Sequence, residues 1–298
     1  MVMKKAKYRQ NCISMYEKNV ERYIHTYSND YKGYPANQKR LEILLDLVRR
    51  HKPKRILYVG CGACIPMATL IRNFDCQVVG IDFSGKMIER GREVLEQFKI
   101  NPELAQLGDI EHFNTLPEGL FDFAIAAGVF THLADDATAM HNLNLKLKTS
   151  GGLAIEFRNE LFSCYSFNRY SYDFFSNNLV DDIVIKEELR EKVEIFFKHI
   201  FSTPIEEKIH AKSTHMKNDY VNKFHNPLNI SKLFDDHGFA WIKNYFYHYH
   251  ILPPQFEMVD AELYQSASLN LENPTDWRGH LMASAFVSEA KKTFAYEN

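Results

Sequence analysis

The sequence predicts an α/β fold, a mostly parallel seven-stranded sheet with helices on both faces. Three observations carry this. Short apolar runs alternate with helical patterns from about residue 55 to residue 158, the signature of strands joined by right-handed crossovers. One of them, "FDFAIAAGVF", is almost continuously apolar, as a strand buried on both faces of a parallel sheet must be. The chain of 298 residues is 45% apolar and 25% charged, an ordinary globular balance with length for a large domain carrying an insertion.

Residues 11–54 read as two helices joined by a polar, Tyr-rich link; Leu41, Leu44, Leu45, Leu47 and Val48 give the second an apolar face, and Pro53 ends it. "RILYVG" is the first strand, and Pro66 suits the first turn of the helix "IPMATLIRNF". "CQVVGID" is the second strand, followed by a helix with Ser84 as N-cap. "ELAQLGD" is a third strand and "FDFAIAAGVF" a fourth. The helix "DDATAMHNLNLKLK" and the turn "TSGG" lead into the fifth strand, "LAIEFRN". The alternation then stops. Residues 161–225 read as an inserted cap over the carboxyl edge of the sheet, with helical stretches "YSYDFFSNNL" and "IKEELREKVEIFFKHIF". In the latter, Val193, Phe196, Phe197 and Ile200 form a stripe suited to core packing or to a subunit contact, which leaves room for a homodimer. A helix ending at Gly238 and the late strands "AWIKNYFYHYHIL" and "LMASAFVSEAKK" complete the chain. The expected organisation is an N-terminal helical lid at 1–34, a core at 35–160, the cap at 161–225 and the end of the core at 226–298.

A net charge of −2 gives no broad attraction to nucleic acid or anionic membrane. The basic start lacks the apolar stretch of a signal peptide, and no run approaches the roughly 20 residues of a membrane span. The five cysteines do not suggest a disulfide framework. A soluble protein of the reducing cytoplasm is expected.

The stretch "YVGCGACIP", Tyr58 to Pro66, poses two alternatives. Cys61 and Cys64 have dithiol spacing, whereas Gly60 and Gly62 form a turn that lets backbone approach a ligand closely. A redox motif has no need of Gly60, and strand–helix units in series do not fit the short dithiol fold. Asp82 ends the next strand, 22 positions beyond Gly60, where a carboxylate can accept both hydroxyls of a ribose; each such bond contributes roughly 1.5–3 kcal/mol. The nucleoside reading is therefore favoured. Where a dinucleotide fingerprint has its third glycine, the chain has Ile65, which argues against NAD or FAD.

These residues in order resemble the class I S-adenosylmethionine-dependent methyltransferases, which have a Rossmann-like fold. "YVGCGAC" resembles their first motif, Asp82 the acid of the second, and Gly108-Asp109 the third; "FDFAIAAGVFTHL" and "LKTSGGLAIEF" resemble the fourth motif and the fifth strand with its turn. Tyr58 stands where the family has an acid that organises the loop and the methionine amino group, and Cys64 where it has a last glycine. The resemblance implies S-adenosylmethionine as cofactor, S-adenosylhomocysteine as product, and contacts from Gly60, Cys61, Gly62, Asp82 and Asp109. Phe83 and Ile110 would lie around the adenine and Gly128 near the methionine end. It also points to His132, after strand four, as first catalytic candidate, since in relatives that methylate small polar amines a His here pairs with a lid Tyr. Tyr31 and Tyr34, with Tyr23 and Tyr27, are the candidates here.

Arg158 at the end of strand five could grip an acidic or phosphorylated acceptor, or pair with Glu160. His248 and His250 alternate on one face of a strand; with His210, His215 and His225 they could ring a substrate pocket. Nothing in their spacing converges on a metal, so none is expected. The expectation is transfer of a methyl group to oxygen or nitrogen of a small polar or sugar-like acceptor, with no nucleic-acid or membrane partner. An RNA or protein methyltransferase and a non-catalytic nucleoside-binding protein are the alternatives.

Overall fold

The computed structural model describes residues 2–28, 30–168 and 223–293, with scattered positions between 170 and 195. The chain begins with α1 (Val2–Lys18) and α2 (Val20–His25), broken only at Asn19. A tyrosine-rich link leads to α3 (Ala36–His51), which buries Leu44, Leu47 and Val48 and stops at Lys52 in a left-handed cap just before Pro53. The core follows: β1 (Arg55–Val59), α4 (Ile65–Asn73), β2 (Gln77–Asp82), α5 (Gly85–Gln97), β3 (Ala105–Leu107), β4 (Phe121–Ala126), α6 (Asp136–Lys146) and β5 (Leu147–Arg158). Pro66 lies in the first turn of α4, and the Ser84 hydroxyl accepts the Met87 N–H to cap α5. A short α7 (Phe162–Ser166) precedes α8 (Ile230–Asp235), β6 (Phe239–Tyr249), α9 (Ala261–Asn270), α10 (Gly279–Met282) and β7 (Ala283–Lys292). Gly238 takes the left-handed conformation expected after α8 (φ 76°).

The strands form one sheet in the order β3-β2-β1-β4-β5-β7-β6. β1 through β5 pair in parallel, and β7 runs antiparallel to both β5 and β6. Both faces are covered. Leu57 and Val59 of β1 pack into one apolar cluster, Ile56 and Tyr58 into the other, on the side of α3 and α4. This two-sided burial explains why the central strands read as unbroken apolar runs.

Two expectations need correction. β5 begins at Leu147, so "TSGG" is an irregular stretch of that strand, with Ser150 at φ 64° and a register shift beside Phe121 and Phe123. The 33 residues between β6 and β7 carry α9, α10 and a 3-10 turn that the sequence reading did not assign. Of the two helices expected within the insert, only Tyr170, Ser171, Phe174, Lys192 and Ile195 are described, all of them helical; the stripe at Val193, Phe196, Phe197 and Ile200 lies outside the described residues, as do His210 and His215. The described ends of the insert lie at the carboxyl edge of the sheet. His225 pairs with Asn159 at the end of β5, and the Lys223 N–H donates to the Thr131 carbonyl (3.0 Å). No helix among the described residues is long and apolar enough to cross a membrane.

Candidate functional site

The carboxyl ends of β1, β2 and β4 open onto a cavity of about 690 Å³. Ligands of open α/β sheets sit at this edge, and the volume is in the range of about 300–1,000 Å³ typical of small-molecule sites.

Its floor is the turn after β1. Gly60 (φ 68°) and Gly62 (φ 52°) take left-handed conformations, and a Cβ on Gly60 would stand 2.3 Å from Val129 Cγ2. Cys64 takes the same conformation (φ 59°) at the start of α4, which explains why a glycine suits that position. Its Sγ points to the Gly62 carbonyl (3.7 Å). The Cys61 side chain turns away from the cavity into the core, under β2, where a Cβ on Gly80 would touch it at 2.8 Å. Both thiols are buried, and the hydrogen bond with Cys64, then burial, hold the Cys61 thiol well above its usual range. The Cys-x-x-Cys pair is thus packing beneath the glycine turn.

Asp82 closes this floor. Its carboxylate accepts the N–H of Gly62 (3.0 Å) and of Ser84 (2.9 Å), which fixes the β1 turn to the β2 end. Burial raises its pKa to about 6 against the pull of those N–H groups. A carboxylate has further lone pairs, which can accept hydroxyls of a ligand in the cavity it lines. Phe83 and Ile110 line the same end. Asp109 lines it too, but its carboxylate accepts the Glu111 N–H (2.9 Å) and contacts His112 Nδ1 (3.0 Å), so it shapes its own turn.

Gly128, His132, Glu156 and Arg158 complete the wall. Burial first, then the Arg158 charge, lower the His132 pKa to about 4, so the ring is neutral near pH 7. The N-terminal helices contribute Cys12, Tyr16 and Tyr23. The Tyr16 ring meets His132 edge-on at 5.5 Å and Phe83 at 6.4 Å; Tyr23 lies against Gly62.

Of the expected site residues, the structure gathers Gly60, Gly62, Asp82, Phe83, Asp109, Ile110, Gly128, His132 and Arg158 around one cavity. It places others elsewhere. Tyr31 meets His25 edge-on, and the Tyr34 hydroxyl donates to Glu272 while its ring stacks on His248 at 4.8 Å. The tyrosines facing the cavity are Tyr16 and Tyr23, one helical face of the lid. His225 holds Asp136 through Nε2 (3.0 Å) and packs on Phe157. His248 and His250 do face one side, 4.7 Å apart, but they belong to a ring column between Tyr34 and Phe162, outside the cavity lining. Among the described residues no group of His, Cys, Asp or Glu could hold a metal. Arg40 and Glu156 are site residues that sequence reasoning missed or undervalued. Arg40 lies one helical turn before Leu44 on the buried face of α3, and a cation on an apolar stripe was the available signal.

Residues 57–155 match the family described as "Methyltransferase domain". An uncharacterized protein of Haemophilus influenzae is 27% identical over 125 residues, 41% of this chain and 49% of the relative; the match thus spans about half of that relative. Among solved structures, magnesium protoporphyrin IX methyltransferase of Synechocystis PCC 6803, crystallised with S-adenosylhomocysteine, superposes with a TM-score of 0.55 at 12% identity, covering 95% of this chain and 99% of that one. YcgJ of Bacillus subtilis gives 0.50 at 13% identity, covering 86% and 98%. At such identities the likeness is one of fold.

Proposed function

We propose that this chain, whose core matches a methyltransferase domain, is a class I S-adenosylmethionine-dependent methyltransferase that transfers the methyl group to a small polar acceptor, with nitrogen the better-matched atom. One observation carries this reading: a single cavity joins the Gly60–Gly62 turn and Asp82 to His132 and Arg158. The residues fit the cofactor. Asp82 keeps acceptor capacity toward the ribose hydroxyls, Phe83 and Ile110 offer apolar walls for the adenine, and Gly60 and Gly62 admit backbone contact. When bound, S-adenosylmethionine supplies a methyl group already activated on a sulfonium, so the protein chiefly aligns the acceptor and excludes water.

The acceptor end is His132 and Arg158. An imidazole held near pKa 4 is too weak a base to take a proton from an alcohol. It can accept an N–H of a neutral amine and so aim the nitrogen lone pair. The Arg158 guanidinium lines the cavity and makes no hydrogen bond or ion pair among the described residues, leaving its fork for a carboxylate or phosphate of the acceptor. A small amine bearing an anionic group is the acceptor this arrangement suits. The test is a methyl-transfer assay with labelled S-adenosylmethionine against amino acids, amino sugars and matched alcohols. Transfer to an anionic amine, lowered at least about tenfold in His132→Ala with S-adenosylhomocysteine affinity unchanged, is expected. Transfer confined to alcohols, or unchanged turnover in the variant, would refute the assignment.

A further inference from the structure

Tyr58 leaves the first motif without its acid, and its buried ring fills space in the α3-side cluster instead. A carboxylate is nevertheless present nearby, delivered from another strand. Glu156, near the end of β5, accepts Arg40 Nη1 through Oε2 (2.7 Å) and the Tyr247 hydroxyl through Oε1 (2.7 Å). Arg40 also donates from Nη2 to the Tyr27 hydroxyl (3.0 Å). The Arg40 and Glu156 side chains are 9% and 11% exposed, and both line the cavity. They sit over Gly128: a Cβ there would lie 3.6 Å from Arg40 Nη1 and 3.8 Å from Glu156 Oε2.

Two such charges facing an enclosed cavity need more than each other, because desolvating an ion pair is costly unless its remaining hydrogen-bonding capacity is met. The Arg40 fork has donors beyond the two in use, and each Glu156 oxygen has a lone pair to spare. A ligand carrying a carboxylate and an ammonium on one carbon complements the pair. Arg40 reaches the glycine turn through a relay, its donation to the Tyr27 hydroxyl, the Tyr23–Tyr27 hydroxyl contact (3.2 Å), and the packing of Tyr23 on Gly62. This places the pair with the cofactor turn. We infer that Arg40 and Glu156 form the seat for the amino-acid arm of the cofactor, Arg40 holding its carboxylate and Glu156 its ammonium, in place of the acid that Tyr58 displaces. The inference rests on the reading of this cavity as the S-adenosylmethionine site.

Equilibrium binding separates the two levels. The ligands are S-adenosylhomocysteine, its decarboxylated form, and 5′-methylthioadenosine, which keeps adenosine and sulfur but lacks the arm. Arg40→Met and Glu156→Gln should each weaken S-adenosylhomocysteine by about 10- to 100-fold while methylthioadenosine affinity holds. The decarboxylated ligand should respond to Glu156→Gln and not to Arg40→Met. Unchanged S-adenosylhomocysteine affinity in both variants, or equal weakening of all three ligands, overturns the seat. Should a variant fail to fold, the wild-type protein suffices: equal affinity for S-adenosylhomocysteine and methylthioadenosine overturns it. Wild-type protein that binds none of the three overturns the cofactor reading, and the seat with it.

Discussion

Asp82 holds its charge with difficulty. Burial moves its pKa to about 6, although the backbone N–H groups of Ser84, Gly62 and Phe83 stabilise the anion. Ribose hydroxyls that donate to it favour the charged form and lower that pKa, so binding must release protons near pH 6. S-adenosylhomocysteine affinity is therefore expected to fall as pH drops from 7.5 to 5. Calorimetry at pH 6 in buffers of different ionisation enthalpy should show proton release that vanishes by pH 8; release that is absent throughout would place the hydroxyls elsewhere. The sign for the empty protein is the opposite of a salt-bridged carboxylate. With the folded pKa raised above 3.8, Asp82 weakens the fold as pH climbs through about 4 to 6. The residue scale is also where the sequence was most informative. Gly60, Gly62 and Asp82 announce themselves because a left-handed turn and a strand-end carboxylate have few alternatives. Arg40 and Glu156 do not, because their meaning lies in a contact across 116 positions of chain.

Among elements, the central strands and the N-terminal helices were legible, but which tyrosines of those helices face the cavity was not. β1, β2 and β4 are buried on both faces, so apolar content alone marks them. α9 escaped detection because Tyr264 and Ser268 are its buried positions, too sparse a pattern to stand out. The beginning of β5 hid behind two glycines, which read as a turn until Phe121 pairs with Leu147. In the lid, the tyrosine-rich link drew the assignment to Tyr31 and Tyr34, whereas Cys12, Tyr16 and Tyr23 share one side of α1 and α2. Among the described residues neither apolar cluster contains one before Ala36, although Cys12 is buried, so the described part of the N-terminal helices adds little to the core while it walls the cavity. Removal of residues 1–18 should leave a cooperatively unfolding protein with a modestly lower midpoint and weaken S-adenosylhomocysteine by at least about tenfold, the scale of one buried aromatic contact. Tyr16→Ala should reproduce part of that loss and Tyr16→Phe little of it. A truncated protein that binds as tightly as the intact chain would show that the lid is no part of the site.

At the scale of the whole molecule, the antiparallel pair β6–β7 is held to the parallel core by apolar packing, in which Phe234 of α8, Phe246 of β6 and Phe286 of β7 share one cluster with Leu57 and Ala124, and by a buried carboxylate. Glu289 supplies it. It sits in β7 with its side chain 4% exposed, and accepts His51 Nε2 (2.7 Å), the Tyr245 hydroxyl (2.7 Å) and both Arg50 Nη atoms (3.3 and 3.1 Å). One carboxylate thus joins β7, β6 and the end of α3, the helix that also carries Arg40 to the cavity. Burial alone would raise its pKa; the bonds from His51, Tyr245 and Arg50 override that and hold it at about 2. A depressed carboxylate contributes stability that is complete above its unfolded value, near 4.5, and is lost as pH falls toward 2. From that displacement, Glu289→Gln should cost about 3 kcal/mol at pH 7, read as a lower denaturant midpoint, with the two proteins converging as pH approaches 2–3. Because α3 would lose its anchor at one end and Arg40 sits near the other, the variant should also loosen ligand binding, and saturating S-adenosylhomocysteine should recover part of the lost stability by mass action. A stability gap between the two proteins that stays constant down to pH 3 would mean that the Glu289 charge does not hold the last strands to the core.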